Sequence, residues 1–119
     1  MKSKLLHDEK GRKTFAIVFD KNDEVRDRLL EFANANHFAD AYLTGIGAFS
    51  EVTLGFFDPR QKEYRKIPIR EQVEVLSFTG NIVQKDGKPR LHAHVVVGKP
   101  TGLRTADTSW EEEFGQRWK

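Results

Sequence analysis

Short runs of alternating apolar and polar residues recur along the chain, and one stretch shows the pattern most plainly. From Ser50, Val52, Leu54 and Phe56 fall on one face, with Glu51, Thr53 and Gly55 on the other. That period of two marks a strand with one buried face. Just before it, Tyr42, Leu43 and Thr44 end another strand. Gly45 and Gly47 then bracket Ile46 at a corner where backbone can bend or pass close to a neighbour. The pattern predicts two short strands joined at this corner. The two glycines are not a nucleotide fingerprint, because no third glycine follows at the right offset and no helix opens after them.

Upstream, residues 14–19 are β-branched and aromatic and predict a strand. Residues 1–13 hold Leu5 and Leu6 among charges. They read as a short edge strand or an arm docked on a neighbour, with a turn over residues 8–12. A helix is predicted over residues 23–36, capped by Asn22 or Asp23. Its apolar stripe is Val25, Leu29, Phe32 and Ala33. His37 follows as a surface residue at the helix end.

Downstream, Asp58, Pro59 and Arg60 form a turn, and residues 63–67 resume as a strand pairing with residues 54–57, interrupted by Pro68. Residues 73–80 predict the next strand, with Val73, Val75 and Ser77 facing one way and Glu74, Leu76 and Phe78 the other. Gly80-Asn81 and Asp86-Gly87 mark turns, the second a good hairpin signal. Residues 91–97 form another strand, placing His92 and His94 on one face and Ala93, Val95 and Val97 on the other. The last residues differ in character. Trp110, Phe114 and Trp118 recur every four positions around three glutamates, a spacing suited to an amphipathic helical turn pair.

Composition changes this picture little. The chain has 119 residues, 38% of them hydrophobic and 32% charged, which suits one domain rather than two. The net charge of +2 is too small to be a nucleic-acid footprint in itself. Cysteine is absent, which excludes disulfides, thiol catalysis and cysteine zinc sites. The charged start lacks a signal peptide's apolar core, and no apolar run is long enough to span a membrane; a cytoplasmic chain is expected.

Three groups of residues carry candidate chemistry. His92 and His94 can share one metal such as zinc if a third ligand comes from elsewhere, His7 or Glu74 being substitutes. The alternative, which carries somewhat more weight, is that the same histidines are hydrogen-bonded within a cleft between subunits. Glu74 stands on an otherwise apolar strand, where it is either partnered in a ligand cleft with Gly45 and Gly47 or simply at the rim. Arg60, Lys62, Arg65, Lys66 and Arg70 cluster within eleven residues around Tyr64, as a phosphate-contacting patch or a solvated hairpin. Enzyme chemistry finds little support: there is no nucleophile elbow and no phosphate loop, and Glu74 with a histidine is the only acid/base set.

The ordered set Gly45-Ile46-Gly47-Ala48-Phe49, Val52 to Phe57, Tyr64, Glu74 to Asn81 and His92-Ala93-His94-Val95 resembles the bacterial branch of the PPC family, the "plants and prokaryotes conserved" domain. The likeness runs over roughly residues 4–98. It implies an α/β domain of the α+β type: a largely antiparallel sheet, one main helix packed on it, and assembly as a homotrimer. Bacterial members carry a DNA-binding label, which makes DNA the expected partner and a regulatory binding protein the expected role. The alternative is a trimer that binds metal or a small molecule in its histidine cleft.

Two departures bear on that expectation. The Arg-Gly-Arg-Pro AT-hook of the plant relatives is missing, and with it their minor-groove element. The family's Gly-Gly-His-Leu segment and final apolar strand are also missing, so the chain divides into a PPC-like domain, residues 1–100, and an atypical tail, residues 101–119. Codons for residues 103–119 can be chosen so that reading two nucleotides later spells Ala-His-Gly-Gly-His-Leu-Leu-Gly-Arg-Gly-Val-Trp-Pro-Thr-Leu-Glu. That is close to the missing segment, and points to a shifted frame near residues 100–103. On this reading the family's third histidine is lost and a sheet edge is left uncovered.

Overall fold

The longest strand is β3, Asp40–Asp58, and most of the later strands are arranged around it. In the computed structural model, residues 1–102, 104–110 and 116–118 are described. A hairpin of β1, Lys2–Glu9, and β2, Arg12–Val18, precedes the helix α1, Val25–Ala35. After β3 come β4, Glu63–Ile69; β5, Val73–Lys85; β6, Lys88–Gly98; β7, Arg104–Trp110; and β8, Gln116–Trp118. The fold is α+β, with antiparallel sheets and one main helix. No helix among the described residues is long and apolar enough to cross a membrane.

The main sheet runs β4-β3-β5-β6-β7. The first half of β3 pairs with β5 and its second half with β4. The sheet curls, because β7 pairs with β6 and also returns to β3 at Gly55 opposite Ser109. The concave side holds the core: Phe49, Val52 and Leu54 from β3, Val73 and Val75 from β5, and Val95 and Val97 from β6 are all buried. Val25, Leu29 and Ala33 of α1 complete it, with the helix lying against β6.

Several elements follow their local signals. Asp86 and Gly87 both have positive φ, 54° and 77°, and close the β5–β6 hairpin as a two-residue turn. Lys10 and Gly11 do the same between β1 and β2. The helix ends in a left-handed residue, His37 at φ 56°. The His37 amide donates to the Asn34 carbonyl and the Phe38 amide to the Ala33 carbonyl, at 3.2 and 3.1 Å. His37 therefore terminates a helix at the surface.

Others depart from the expectation. Gly45 and Gly47 do not separate two strands. They flank a bulge within the continuous β3, where Gly47 takes φ 155°. Gly80-Asn81 is not a turn, because Gly80 pairs with both Leu43 and Ala93 inside β5. A second bulge between Val75 and Ser77 reverses the alternation there: Phe78 joins Val73 and Val75 in the core, while Ser77 is exposed. Pro68 does not end β4. It pairs with Thr53, which an edge strand permits because the missing N–H faces away from the ladder. The tail shows strands rather than a helical turn: Trp110 lies in β7, Trp118 in β8, and Phe114 falls outside the described residues. The uncovered edge is accordingly occupied, since β6 offers unpaired backbone groups that a following segment can satisfy.

The helix cap also differs. The N-cap is Glu24, without a side-chain cap bond. Asp23 instead accepts the Asp20 amide at 2.9 Å and pairs with the Met1 ammonium at 3.0 Å, and Asp20 pairs with the same ammonium. Bonds to Asp20 and then Asp23 raise the Met1 amine above its ordinary value. The bond from the Asp20 amide, then that from the Met1 ammonium, holds Asp23 below its own. The raised amine stabilises fully below its unfolded pKa and loses that effect as pH climbs through the raised value. The depressed carboxyl stabilises fully above its unfolded pKa and loses that effect as pH falls through the lowered value. This anchor should therefore be complete between the ordinary values of 3.8 and 8.0 and weaken on both sides. Amide NMR signals of β1 followed through both limits test this; in Asp23→Asn the acid limb should vanish, and an unchanged acid limb would refute the assignment.

Candidate nucleic-acid interface

The β3–β4 hairpin collects most of the basic cluster. β3 and β4 pair from Val52 opposite Ile69 to Asp58 opposite Glu63, and a four-residue loop, 59–62, joins them. The Arg60 amide donates to Asp58 Oδ1 at 2.9 Å, which tightens the loop start. Arg60 and Lys62 stand exposed in the loop, and Arg65 and Lys66 exposed on β4. Consecutive strand residues point to opposite faces, so Arg65 and Lys66 flank the ribbon rather than share a side. From Asp58 to Lys66 there are four cations, Arg60, Lys62, Arg65 and Lys66, against two carboxylates, Asp58 and Glu63. The excess makes this tip locally positive on a chain that is nearly neutral.

Arg70 lies apart from that group. It follows β4 and lines a cavity of about 340 Å³ with Glu24, Glu51, Val52, Thr53, Pro68 and Ile69. Its carboxylate neighbours place it in a mixed-charge setting, so the tip owes its positive character to the other four residues.

The histidine pair is where the alternation places it. His92 and His94 share the open face of β6, with ring centroids 5.1 Å apart and planes at 84°. The register sets Asn81 and Thr79 of β5 across from them. Glu74 is also exposed, but it pairs with Gly98 and Ala48. That is five residues along β5 from the Thr79 opposite His94, or roughly 15 Å at strand rise. Gly45 and Gly47 stand between these positions, opposite Phe78 and Val75. His7 belongs to the other sheet, where Nε2 meets Glu9 Oε2 at 3.1 Å. Among the described residues no three His, Cys, Asp or Glu side chains gather as a metal would require. The paired histidines alone, with no carboxylate or third histidine beside them among the described residues, do not fit a zinc centre.

Two residues at the tip were not singled out by sequence. Phe56 and Phe57 are each 43% exposed. The alternation put Phe56 on the buried face with Val52 and Leu54, and it does lie there, but beyond the point where the core ends. Phe57 packs against Tyr64 across the ladder, with centroids 5.3 Å apart. The available signal was two consecutive aromatics directly before a turn.

The profile of one family matches residues 7–106: the Plants and Prokaryotes Conserved domain. The chain belongs to that family. A PPC protein of Pyrococcus horikoshii shares the fold with a TM-score of 0.71 and 29% identity, over 85% of this chain and 75% of its own. A "putative DNA binding protein" of Bacteroides thetaiotaomicron matches with a TM-score of 0.68 and 31% identity, over 82% and 71%. A "metal-containing protein" of Archaeoglobus fulgidus matches with a TM-score of 0.69 and 27% identity, over 100% and 81%. No curated protein matches the chain.

Proposed function

We propose that this PPC protein is a DNA-binding or regulatory binding protein of the cytoplasm, acting as a homotrimer. Its phosphate-contacting surface is the β3–β4 hairpin. The supporting observation is the cation excess at the exposed tip, Arg60, Lys62, Arg65 and Lys66 against Asp58 and Glu63. Cations on both sides of a narrow ribbon suit a polyanion that passes around it, and a trimer multiplies a modest patch three-fold. Without an AT-hook the contact is to backbone phosphates, so A·T-rich and mixed sequences bind alike. The bacterial relative described as DNA-binding supports the same reading.

The test is a duplex titration by fluorescence anisotropy at low and physiological salt. Binding should weaken steeply as salt rises, and neutralising Arg65 and Lys66 to glutamine should reduce the log–log salt slope by about one per cation engaged. No binding to any nucleic acid at low salt would overturn the proposal. The face of β6 that carries His92 and His94 would then be the surface to test for a small ligand.

A further inference from the structure

We propose that the tip of the β3–β4 hairpin is a stacking platform for unpaired bases, so that the nucleic acid held at this face is single-stranded. The inference rests on the nucleic-acid reading above and names the kind of strand it takes.

Its starting point is the position of the two rings. Phe56 and Phe57 are adjacent in a strand, so each face of the ribbon carries one of them, and each is 43% exposed. On the face of Phe56 the inward neighbours are already saturated, Leu54 being 1% exposed and Val52 2%; on the face of Phe57 the inward neighbour is the buried Gly55, which has no side chain for the ring to pack on. Phe56 therefore extends the apolar face past the core, Phe57 stands at the end of the opposite face, and neither ring is fully covered. A half-exposed phenylalanine forgoes much of the hydrophobic gain that a covering group would supply.

The register then adds charge to each ring. Arg65 stands directly across the ladder from Phe56, at a cross-strand spacing of about 5 Å between β-carbons. A planar guanidinium at that distance can lie along a base stacked on the ring, or reach its phosphate. On the other face Phe57 packs beside Tyr64, which widens the aromatic surface. Arg60 and Lys62 in the loop sit where the backbone of a strand crossing from one face to the other would run.

A duplex makes poor use of this arrangement. Its bases are stacked on one another and present only edges, which are read by hydrogen-bonding side chains. Phenylalanine has none to offer. An unpaired base presents its face, and base–aromatic stacking is sequence-tolerant because every base has such a face. Rings interleaved with cations match that ligand on both counts.

The experiment compares a labelled oligothymidylate of about twelve nucleotides with a mixed-sequence duplex of the same length, titrated with the full chain at low and physiological salt. The oligothymidylate should bind more tightly. Phe56→Leu and Phe57→Leu should each weaken it by about tenfold while leaving the salt slope unchanged. Arg65→Gln should reduce the slope. Leucine keeps the apolar bulk, and far-UV circular dichroism checks that both variants fold. Duplex binding equal to or tighter than single-strand binding, or leucine variants that bind as the parent does, would overturn the stacking platform and leave the phosphate reading standing. Absence of binding by either probe at low salt would overturn both.

Discussion

Replacing Gly80 by alanine is expected to destabilise the protein by about 3 kcal/mol, the upper part of the range for forcing an extra group into closed packing. A methyl group there would sit 2.3 Å from the His92 carbonyl oxygen and 2.8 Å from the Cα and Cβ of Ala93. These are mainly backbone atoms of β6, so no side-chain rotation relieves the overlap. Ala93 is itself fully buried, so relief requires β5 and β6 to separate, which would disturb the ladder under the histidine pair. Gly45→Ala is the matched control. Its added methyl would come no closer than 3.9 Å, to Phe78 Cβ, and the change should cost no more than about 1 kcal/mol. Urea unfolding at a fixed protein concentration compares the two; equal midpoints would contradict this account of β5–β6 packing.

Phe49→Ala is expected to cost about 3 to 5 kcal/mol. The ring is fully buried, at a position of β3 that pairs with Val73 of β5 on one side and with Trp118, the last residue of β8, on the other. Among the described residues it is the largest of the completely enclosed side chains, so its removal leaves a void bordered by three strands that cannot collapse together without breaking register. Set against a total stability of about 5 to 15 kcal/mol, that loss should leave a substantial unfolded fraction in physiological buffer. Phe49→Leu should retain the fold at a cost of about 1.5 kcal/mol. Thermal unfolding of both variants measures the difference, and an alanine variant that melts with the parent would show that the ring is not central to the core.

The sequence displays this fold unevenly, and the failures share a cause. Strand β6 was legible because its alternation is unbroken from Leu91 to Val97, and its hairpin because Asp86-Gly87 suits two consecutive positive φ values. The helix stripe of Val25, Leu29 and Ala33 was equally readable. Misreadings arise where glycine serves a strand rather than ends it. Gly45 and Gly47 accommodate a bulge, and Gly80 makes room for a neighbouring backbone, yet each resembles a turn in isolation. The bulge at Leu76 reversed the predicted facing of Ser77 and Phe78, because one extra residue shifts a period of two by half. At the candidate interface the cations were legible as a cluster. Their division between two faces, the removal of Arg70 to a mixed-charge cavity, and the part played by Phe56 and Phe57 depend on where the core stops, which pairing decides.

The hairpin of β1 and β2 forms a sheet of its own. Leu5, Leu6 and Val18 remain exposed on it. It meets the body through Ile17, which packs against the core, through the ring of Phe15, packed against Phe32 and Phe38, and through the Met1 ammonium between Asp20 and Asp23. A two-stranded ribbon is marginal in water without such attachments. In kinetic terms it is expected to be a separate opening unit: its amides should exchange with solvent through excursions that never reach the main sheet, at a free-energy cost set by these attachments rather than by the global stability. Hydrogen exchange should therefore separate a slow main sheet from a fast ribbon, with the boundary where β2 gives way to the helix.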